Sequence, residues 1–128
     1  MTVLPIYAAL LAILFVYLSA RTITTRRKMQ IALGHADNPV LLRAMRVHAN
    51  FAEYVPLALL LIFLVESAGA SPAIVHSLGA VLLLARLLHA YGVSQPKENF
   101  RFRVFSMAAT FTVMMASAAY LLVVAAIR

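Results

Sequence analysis

Four long apolar stretches, separated by short polar ones, divide this chain. The predicted helices cover residues 3–27, 39–67, 72–93 and 102–127. Each is long enough to cross a bilayer, because a spanning helix needs about 20 predominantly apolar residues. The first connection, Gly34 to Pro39, contains glycine, Asp-Asn and proline, which is typical of a turn. The pattern therefore predicts an all-α fold, a four-helix transmembrane bundle that forms a single domain over residues 1–128.

The composition agrees with a lipid environment. Of the 128 residues, 64% are hydrophobic and 12% are charged, whereas a soluble domain is about 45–50% apolar and about 25% charged. There is no cysteine, which excludes a disulfide framework, a thiolate metal site and a cysteine nucleophile. The four histidines come from different segments and lack close ligand spacing, so no metal site is predicted.

The net charge of +7 has two interpretations, and both can apply. In a soluble protein it would indicate nucleic acid, but here the basic residues adjoin apolar segments, so no nucleic-acid partner is expected. They are either topology signals that face anionic membrane lipid or parts of a pocket for an anionic small molecule. The cluster Arg26, Arg27 and Lys28 fits either interpretation, since one of its arginines can reach back into a ligand site.

The distribution of positive charge predicts an orientation in the membrane. The basic residues of the first connection and its flanks are Arg21, Arg26, Arg27, Lys28, Arg43 and Arg46. Those of the third connection are Lys97, Arg101 and Arg103. The second connection, residues 66–72, has none. Because basic loops stay on the cytoplasmic side, we expect four spans with both termini outside and the polar ends of the second and third helices facing the cytoplasm.

The stretch Arg43 to Pro56 carries most of the candidate chemistry. Arg46, Asn50 and Glu53 follow one another at i, i+4 and i+7, so they share a helix face, and Tyr54 lies one turn beyond Asn50. Polar groups at membrane depth are costly and are usually functional or paired. Two interpretations stay open: an internal Arg–Glu brace between helices, or the polar wall of a ligand cavity.

The third helix contains a second polar pair. Arg86 and His89 are i, i+3 neighbours late in an apolar run. A guanidinium at that depth needs a partner, and Glu53 is the only acidic residue at a comparable depth. We therefore expect Arg86 and Glu53 to approach each other.

Two segments of this sequence resemble one known family. R-A-M-R-V-H-A-N-F-A-E-Y-V-P, with A-R-L-L-H-A-Y-G about thirty residues later, is similar to the MAPEG family, the membrane-associated proteins in eicosanoid and glutathione metabolism. The four-helix hydropathy agrees over the whole length, and the chain is most similar to the small bacterial branch. The resemblance implies a homotrimer, in the bacterial inner membrane, that binds glutathione between neighbouring subunits at the cytoplasmic side.

The resemblance also implies roles for individual residues. By position, the glutathione-binding residues are Arg26, Arg46, His48, Asn50, Glu53, Tyr54 and His89. The arginine near the glutathione sulfur, and so the catalytic one, is Arg101 or, less securely, Arg103, because the alignment there needs a gap. Two positions depart from the family pattern. Val93 replaces a tyrosine of several members, and Ala49 replaces an arginine of the prostaglandin synthase, which argues against that specific activity.

The expected function is therefore a glutathione-dependent transferase or peroxidase. An arginine-stabilised thiolate would attack a lipophilic electrophile, or reduce a lipid hydroperoxide, that arrives from the bilayer. The alternative is a non-catalytic lipid-binding or scaffold protein of the same fold. A small transporter is a third class, but the chain lacks the paired broken helices that transporter sites favour.

Overall fold

The computed structural model describes residues 2–128, and within them it contains four α-helices and no strand. The helices are α1 (Leu4–Met29), α2 (Pro39–Ser67), α3 (Pro72–Ser94) and α4 (Phe100–Ile127). All four are long and apolar enough to cross a membrane. The predicted all-α, four-helix class is confirmed, and no helix end differs from its predicted position by more than two residues.

The helix ends follow from the residues that stand there. The side chain of Asn38 caps α2, since its Oδ1 accepts a hydrogen bond of 3.0 Å from the backbone N–H of Leu41. Asn99 caps α4 in the same way, with 3.0 Å to the backbone N–H of Arg101. At the end of α1, Gln30 adopts a left-handed conformation with φ 55°. Its backbone N–H donates to the carbonyl oxygens of Arg26 and Arg27.

Helices α2 and α3 form the centre of the bundle. Each of them contacts the other and both outer helices, whereas α1 and α4 have no contact with each other within residues 2–128. One side of α2 supplies much of the core through Val47, Phe51, Val55 and Ile62, at helical spacing. The outer helices bury little of themselves: 11% of the spanning window of α1 and 17% of that of α4 lie inside the bundle. Most of their apolar surface therefore lies outside the core of the bundle.

Successive helices run in opposite directions, so the connections lie at two ends. We call the end formed by residues 30–38 and 95–99 the basic end, because most of the arginines lie there. At this end Nη1 of Arg21 donates a 2.7 Å hydrogen bond to Oγ of Ser94, which ties α1 to α3. The opposite end is formed by residues 68–71 and the two chain termini.

Glu66 closes the opposite end. Its carboxylate accepts hydrogen bonds from the backbone N–H groups of Thr2 at 2.7 Å, Val3 at 2.9 Å and Leu4 at 2.9 Å. A carboxylate at a helix N-terminus satisfies amide groups that lack an intrahelical partner. The last turn of α2 therefore caps the first turn of α1.

Candidate functional site

A buried guanidinium lies at the centre of the polar region. The side chain of Arg86 on α3 is 1% exposed. Its Nη2 donates a 2.6 Å hydrogen bond to Oδ1 of Asn50 on α2. Its Cζ also lies 5.9 Å from the ring centroid of Phe51, within range of a cation–π contact. The predicted approach of Arg86 to Glu53 is wrong: the partner of Arg86 on α2 is Asn50, and no ion pair joins Arg86 to Glu53 in the described chain.

His89 completes this buried group. It is 3% exposed and lies one turn after Arg86 on α3. Its Nδ1 lies 3.5 Å from Nη2 of Arg86, which is a donor only. Nδ1 therefore accepts, and the proton of a neutral His89 lies on Nε2. Arg86 thus orients Asn50 and His89 together, and it leaves the amide N–H groups of Asn50 and Nε2–H of His89 free to donate elsewhere.

Asn50 and His89 border a small cavity between α2, α3 and α4. Its volume is about 100 Å³, and its lining is Arg46, Asn50, His89, Val93, Arg103 and Met107. Pockets that enclose a small organic ligand usually measure about 300–1,000 Å³. The cavity is therefore too small for a tripeptide, although its lining offers several cationic and neutral donors.

Arg46 and Glu53 form a loose pair at the rim of this cavity. Nη2 of Arg46 lies 3.9 Å from Oε1 of Glu53, and the side chains are 56% and 50% exposed. Such an exposed and distant pair is weak. Both groups lie on α2 alone, so the predicted brace between helices is not formed by this pair, and both remain available to a ligand.

Arg103 reaches the cavity from the first turn of α4. Its Nη2 donates a 2.6 Å hydrogen bond to Oε1 of Glu98. The same oxygen accepts a 3.0 Å hydrogen bond from Nη1 of Arg43, which also donates to the carbonyl of Val93 at 3.0 Å. Glu98 is 4% exposed, and its Oε2 has no partner. One buried carboxylate therefore positions an arginine on each side of it.

Two other predicted residues lie near the cavity without lining it. Arg101 is exposed at the start of α4, two residues before Arg103. Residues two apart on a helix point about 200° apart, so Arg101 and Arg103 lie on different sides of α4. Tyr54 packs edge-on against Phe111 of α4, with ring centroids 5.5 Å apart.

The remaining two predicted residues lie on the α1 side of the bundle. Nε2 of His48 is 3.0 Å from Oγ of Ser19, and its ring stacks on Phe15 with centroids 4.9 Å apart. Arg26 donates from Nη1 to the carbonyl of Gly34 at 2.8 Å, at the end of α1. The structure therefore divides the predicted binding residues into two groups on different sides of the bundle.

The sequence interpretation missed two residues that shape the site. Glu98 anchors Arg103, and Met107 lines the cavity. For Glu98 a signal existed: it is the acidic residue among three basic ones in the third connection. For Met107 no signal existed, because methionine on an apolar helix is typical of packing.

Comparisons with known proteins agree with this architecture. The sequence matches the MAPEG family over residues 4–123. It is 36% identical over 110 residues to "Inner membrane protein YecN" of Escherichia coli (strain K12), covering 86% of this chain and 82% of that protein. It is similar to the same degree to the protein of that name in Escherichia coli O6:H1 (strain CFT073).

Proposed function

Because the chain belongs to the MAPEG family, we propose that it is a glutathione-dependent transferase or peroxidase of the bacterial inner membrane, active as a homotrimer. Its second substrate is a lipophilic electrophile or hydroperoxide that enters from the bilayer. The inner-membrane location is supported by the name of its relatives and by four helices that are able to span a membrane.

One observation carries the proposal: two arginines from different helices border the same cavity, beside neutral donors that are held in place. Arg46 comes from α2 and Arg103 from α4. Glutathione has two carboxylates and one ammonium group, and its thiolate adds a negative charge. Arginine binds carboxylates through two parallel N–H donors, and Glu53 beside Arg46 suits the ammonium group.

The small size of the cavity supports a site between subunits. At about 100 Å³, the cavity holds only part of a tripeptide. Arg26 and His48 lie on the α1 side of the same subunit, away from Arg46 and Arg103. In a cyclic trimer, the α1 side of one subunit is able to face the α2–α4 side of the next. The two groups would then form one complete site at each interface.

The proposed chemistry begins with the thiol. Arg103 lowers the pKa of the glutathione thiol, because a nearby cation stabilises the thiolate. In the transferase reaction, the thiolate forms a C–S bond to the electrophile and the leaving group departs. In the peroxidase reaction, two glutathione molecules reduce one hydroperoxide to an alcohol and water and become glutathione disulfide. We assign the thiolate role to Arg103 rather than Arg101 because only Arg103 lines the cavity.

Glutathione binding to the detergent-solubilised protein tests the proposal. Calorimetry measures the affinity, and absorbance near 240 nm (about the usual thiolate band) reports ionisation of the thiol. We expect binding with a thiolate signal, and loss of both in Arg46→Met. Arg27→Met, which removes an exposed arginine outside the cavity, is the matched control. No binding at millimolar glutathione would contradict the proposal, and binding without thiolate would support the non-catalytic lipid-binding or scaffold alternative.

A further inference from the structure

A second and larger cavity lies at the basic end, between α1, α2 and α3. Its volume is about 390 Å³, within the range of ligand pockets. Its polar lining comes from Arg21, Thr25, Arg43 and Ser94. None of these residues borders the smaller cavity assigned to glutathione, so the two cavities have separate linings.

Arg21 is held in the wall of this cavity with part of its guanidinium unused. Nη1 donates a 2.7 Å hydrogen bond to Oγ of Ser94. Nε and Nη2 are shielded from solvent and have no hydrogen-bond partner. Buried charged donors without partners are costly, and each such group in a protein needs an explanation. A ligand that is not a protein group is one such explanation.

The two unused nitrogens are the pair best suited to an oxyanion. Nε–H and one N–H of Nη2 are parallel, and they form the side of the guanidinium that binds a carboxylate or phosphate through two hydrogen bonds. The bond to Ser94 fixes the opposite side of the group. In this conformation solvent does not reach Nε or Nη2. Binding of an oxyanion therefore requires the side chain to turn toward the cavity that it lines.

The lining of the cavity carries a net positive charge, which favours an anionic ligand. Arg43, the other cation in the wall, is already paired with Glu98 at 3.0 Å. Arg21 has no acidic partner within 4.0 Å in the described chain, because its one side-chain partner is a neutral hydroxyl. One positive charge therefore remains without a counter-charge.

The rest of the lining is apolar. Pro39, Val40, Ala44 and Pro96 complete the wall. The cavity lies at the level where the helices end, which is the depth of lipid headgroups. An apolar wall with one unpaired guanidinium fits a molecule that has an anionic head and a hydrocarbon chain.

We propose that the cavity between α1, α2 and α3 binds an amphiphile whose phosphate-type oxyanion head pairs with Nε and Nη2 of Arg21 and whose chain lies along Pro39 and Val40. The ligand is either a single-chain alkyl phosphate or an anionic phospholipid of the surrounding membrane. The site does not depend on the glutathione function, because it shares no lining residue with that cavity.

The test uses the purified full chain in dodecyl maltoside with decyl phosphate as the probe. Decyl maltoside, which has the same chain and an uncharged head, is the control ligand. We expect decyl phosphate to raise Tm and to bind at least about tenfold more weakly to Arg21→Met, because hydrogen bonds to charged groups are lost. Arg27→Met, which removes an exposed arginine of the same helix outside this cavity, should bind as the native chain does.

Further measurements distinguish a binding role from a structural one and identify the source of the ligand. Without ligand, Arg21→Met should keep a Tm close to that of the native chain, because the removal of two unpaired buried donors offsets the loss of the hydrogen bond to Ser94. Arg21→Lys keeps the positive charge but lacks the two parallel N–H donors, so it should bind decyl phosphate with intermediate affinity. If dioleoyl phosphatidylglycerol gives the same Arg21-dependent rise in Tm, the ligand is membrane phospholipid; a rise with decyl phosphate alone indicates a single-chain ligand. Equal binding of decyl phosphate to Arg21→Met and the native chain, or equal effects of decyl phosphate and decyl maltoside, would overturn the proposal.

Discussion

Arg86 and Asn50 are joined by a 2.6 Å hydrogen bond that connects the two central helices of the bundle. The guanidinium is almost fully buried, and Asn50 is its one close oxygen partner. The bond therefore does two things. It gives a cation at membrane depth an oxygen partner, and it turns the amide of Asn50 so that its N–H groups remain free beside the candidate site.

A double-mutant cycle measures this coupling. Asn50→Leu leaves Arg86 buried without its oxygen partner, and we expect a loss of about 2–3 kcal/mol in the free energy of unfolding. Arg86→Met alone should also destabilise the chain. The double variant should lose clearly less than the sum of the two, because no unpaired cation remains. Strictly additive losses in detergent unfolding experiments would show that the two side chains are not coupled.

The two candidate arginines of α4 should differ in their effect on turnover. Because Arg103 lines the cavity and Arg101 does not, Arg103→Gln should lower kcat with glutathione by about 100-fold, the usual cost of losing one charge-stabilising donor. Arg101→Gln is the matched variant and should change kcat less than about threefold. Initial rates with a lipophilic chloronitrobenzene and glutathione provide the measurement. The reverse order of effects would assign the sulfur to Arg101.

Glu98 should favour stability at the expense of thiolate formation. It is 4% exposed and accepts hydrogen bonds from Arg43 and Arg103 on the same oxygen, so Glu98→Gln should lower the free energy of unfolding by about 1–3 kcal/mol. The same change removes a negative charge beside Arg103. We therefore expect a larger thiolate absorbance at a given pH. A smaller absorbance, with the fold retained, would mean that Glu98 is needed to place Arg103.

The interface site is testable by complementation. Arg46→Met and Arg26→Met should each abolish glutathione binding. When the two variants are co-expressed, mixed trimers should recover about one quarter of the native sites, since each site takes Arg46 from one subunit and Arg26 from the next. Calorimetric stoichiometry on the co-purified protein gives the fraction. Zero recovery in confirmed mixed trimers would place both arginines in one subunit's site.

Gly92 sets the distance between α3 and α4 beside the site. A Cβ added at Gly92 would lie 2.5 Å from Cβ of Phe102, an atom too close to the backbone to move aside by itself. Gly92→Ala should therefore displace the start of α4 and with it Arg103, with a loss of about 1–3 kcal/mol in stability. Leu84→Ala changes a residue of α3 that is 64% exposed, and it serves as the control in thermal unfolding. A native Tm and native kcat in Gly92→Ala would contradict this role.

The sequence predicted the helices and the shared face of Arg46, Asn50 and Glu53, but not which neighbour each side chain meets. Glu53 follows Asn50 by three residues, and the two side chains therefore point about 60° apart around α2. That offset is enough to leave half of the Glu53 side chain exposed while Asn50 faces α3. Depth along a helix can be counted in the sequence, but the rotation of one helix against another depends on packing, which is why Arg86 was paired with the wrong residue.

The cavity beside Arg21 shows a further limit of the sequence. Arg21 and Ser94 are 73 residues apart and meet only because α1 packs against α3. From a sequence with several amphipathic and apolar helices we can predict that such contacts exist, but not which residues make them. The choice between Arg103 and Arg101 has the same limit, because it depends on which side of α4 faces the cavity.

The three hydrogen bonds of Glu66 bear on the order in which the chain enters the membrane. Residues 2–4 leave the ribosome more than sixty residues before Glu66 does. Until α2 has crossed, the leading amide groups of α1 have only water and headgroups as partners. The hairpin of α1 and α2 is thus the smallest part of the chain in which protein atoms provide the hydrogen-bond partners of these amide groups. We expect the first two helices to settle in the bilayer as a unit during synthesis, before α3 and α4 complete the bundle.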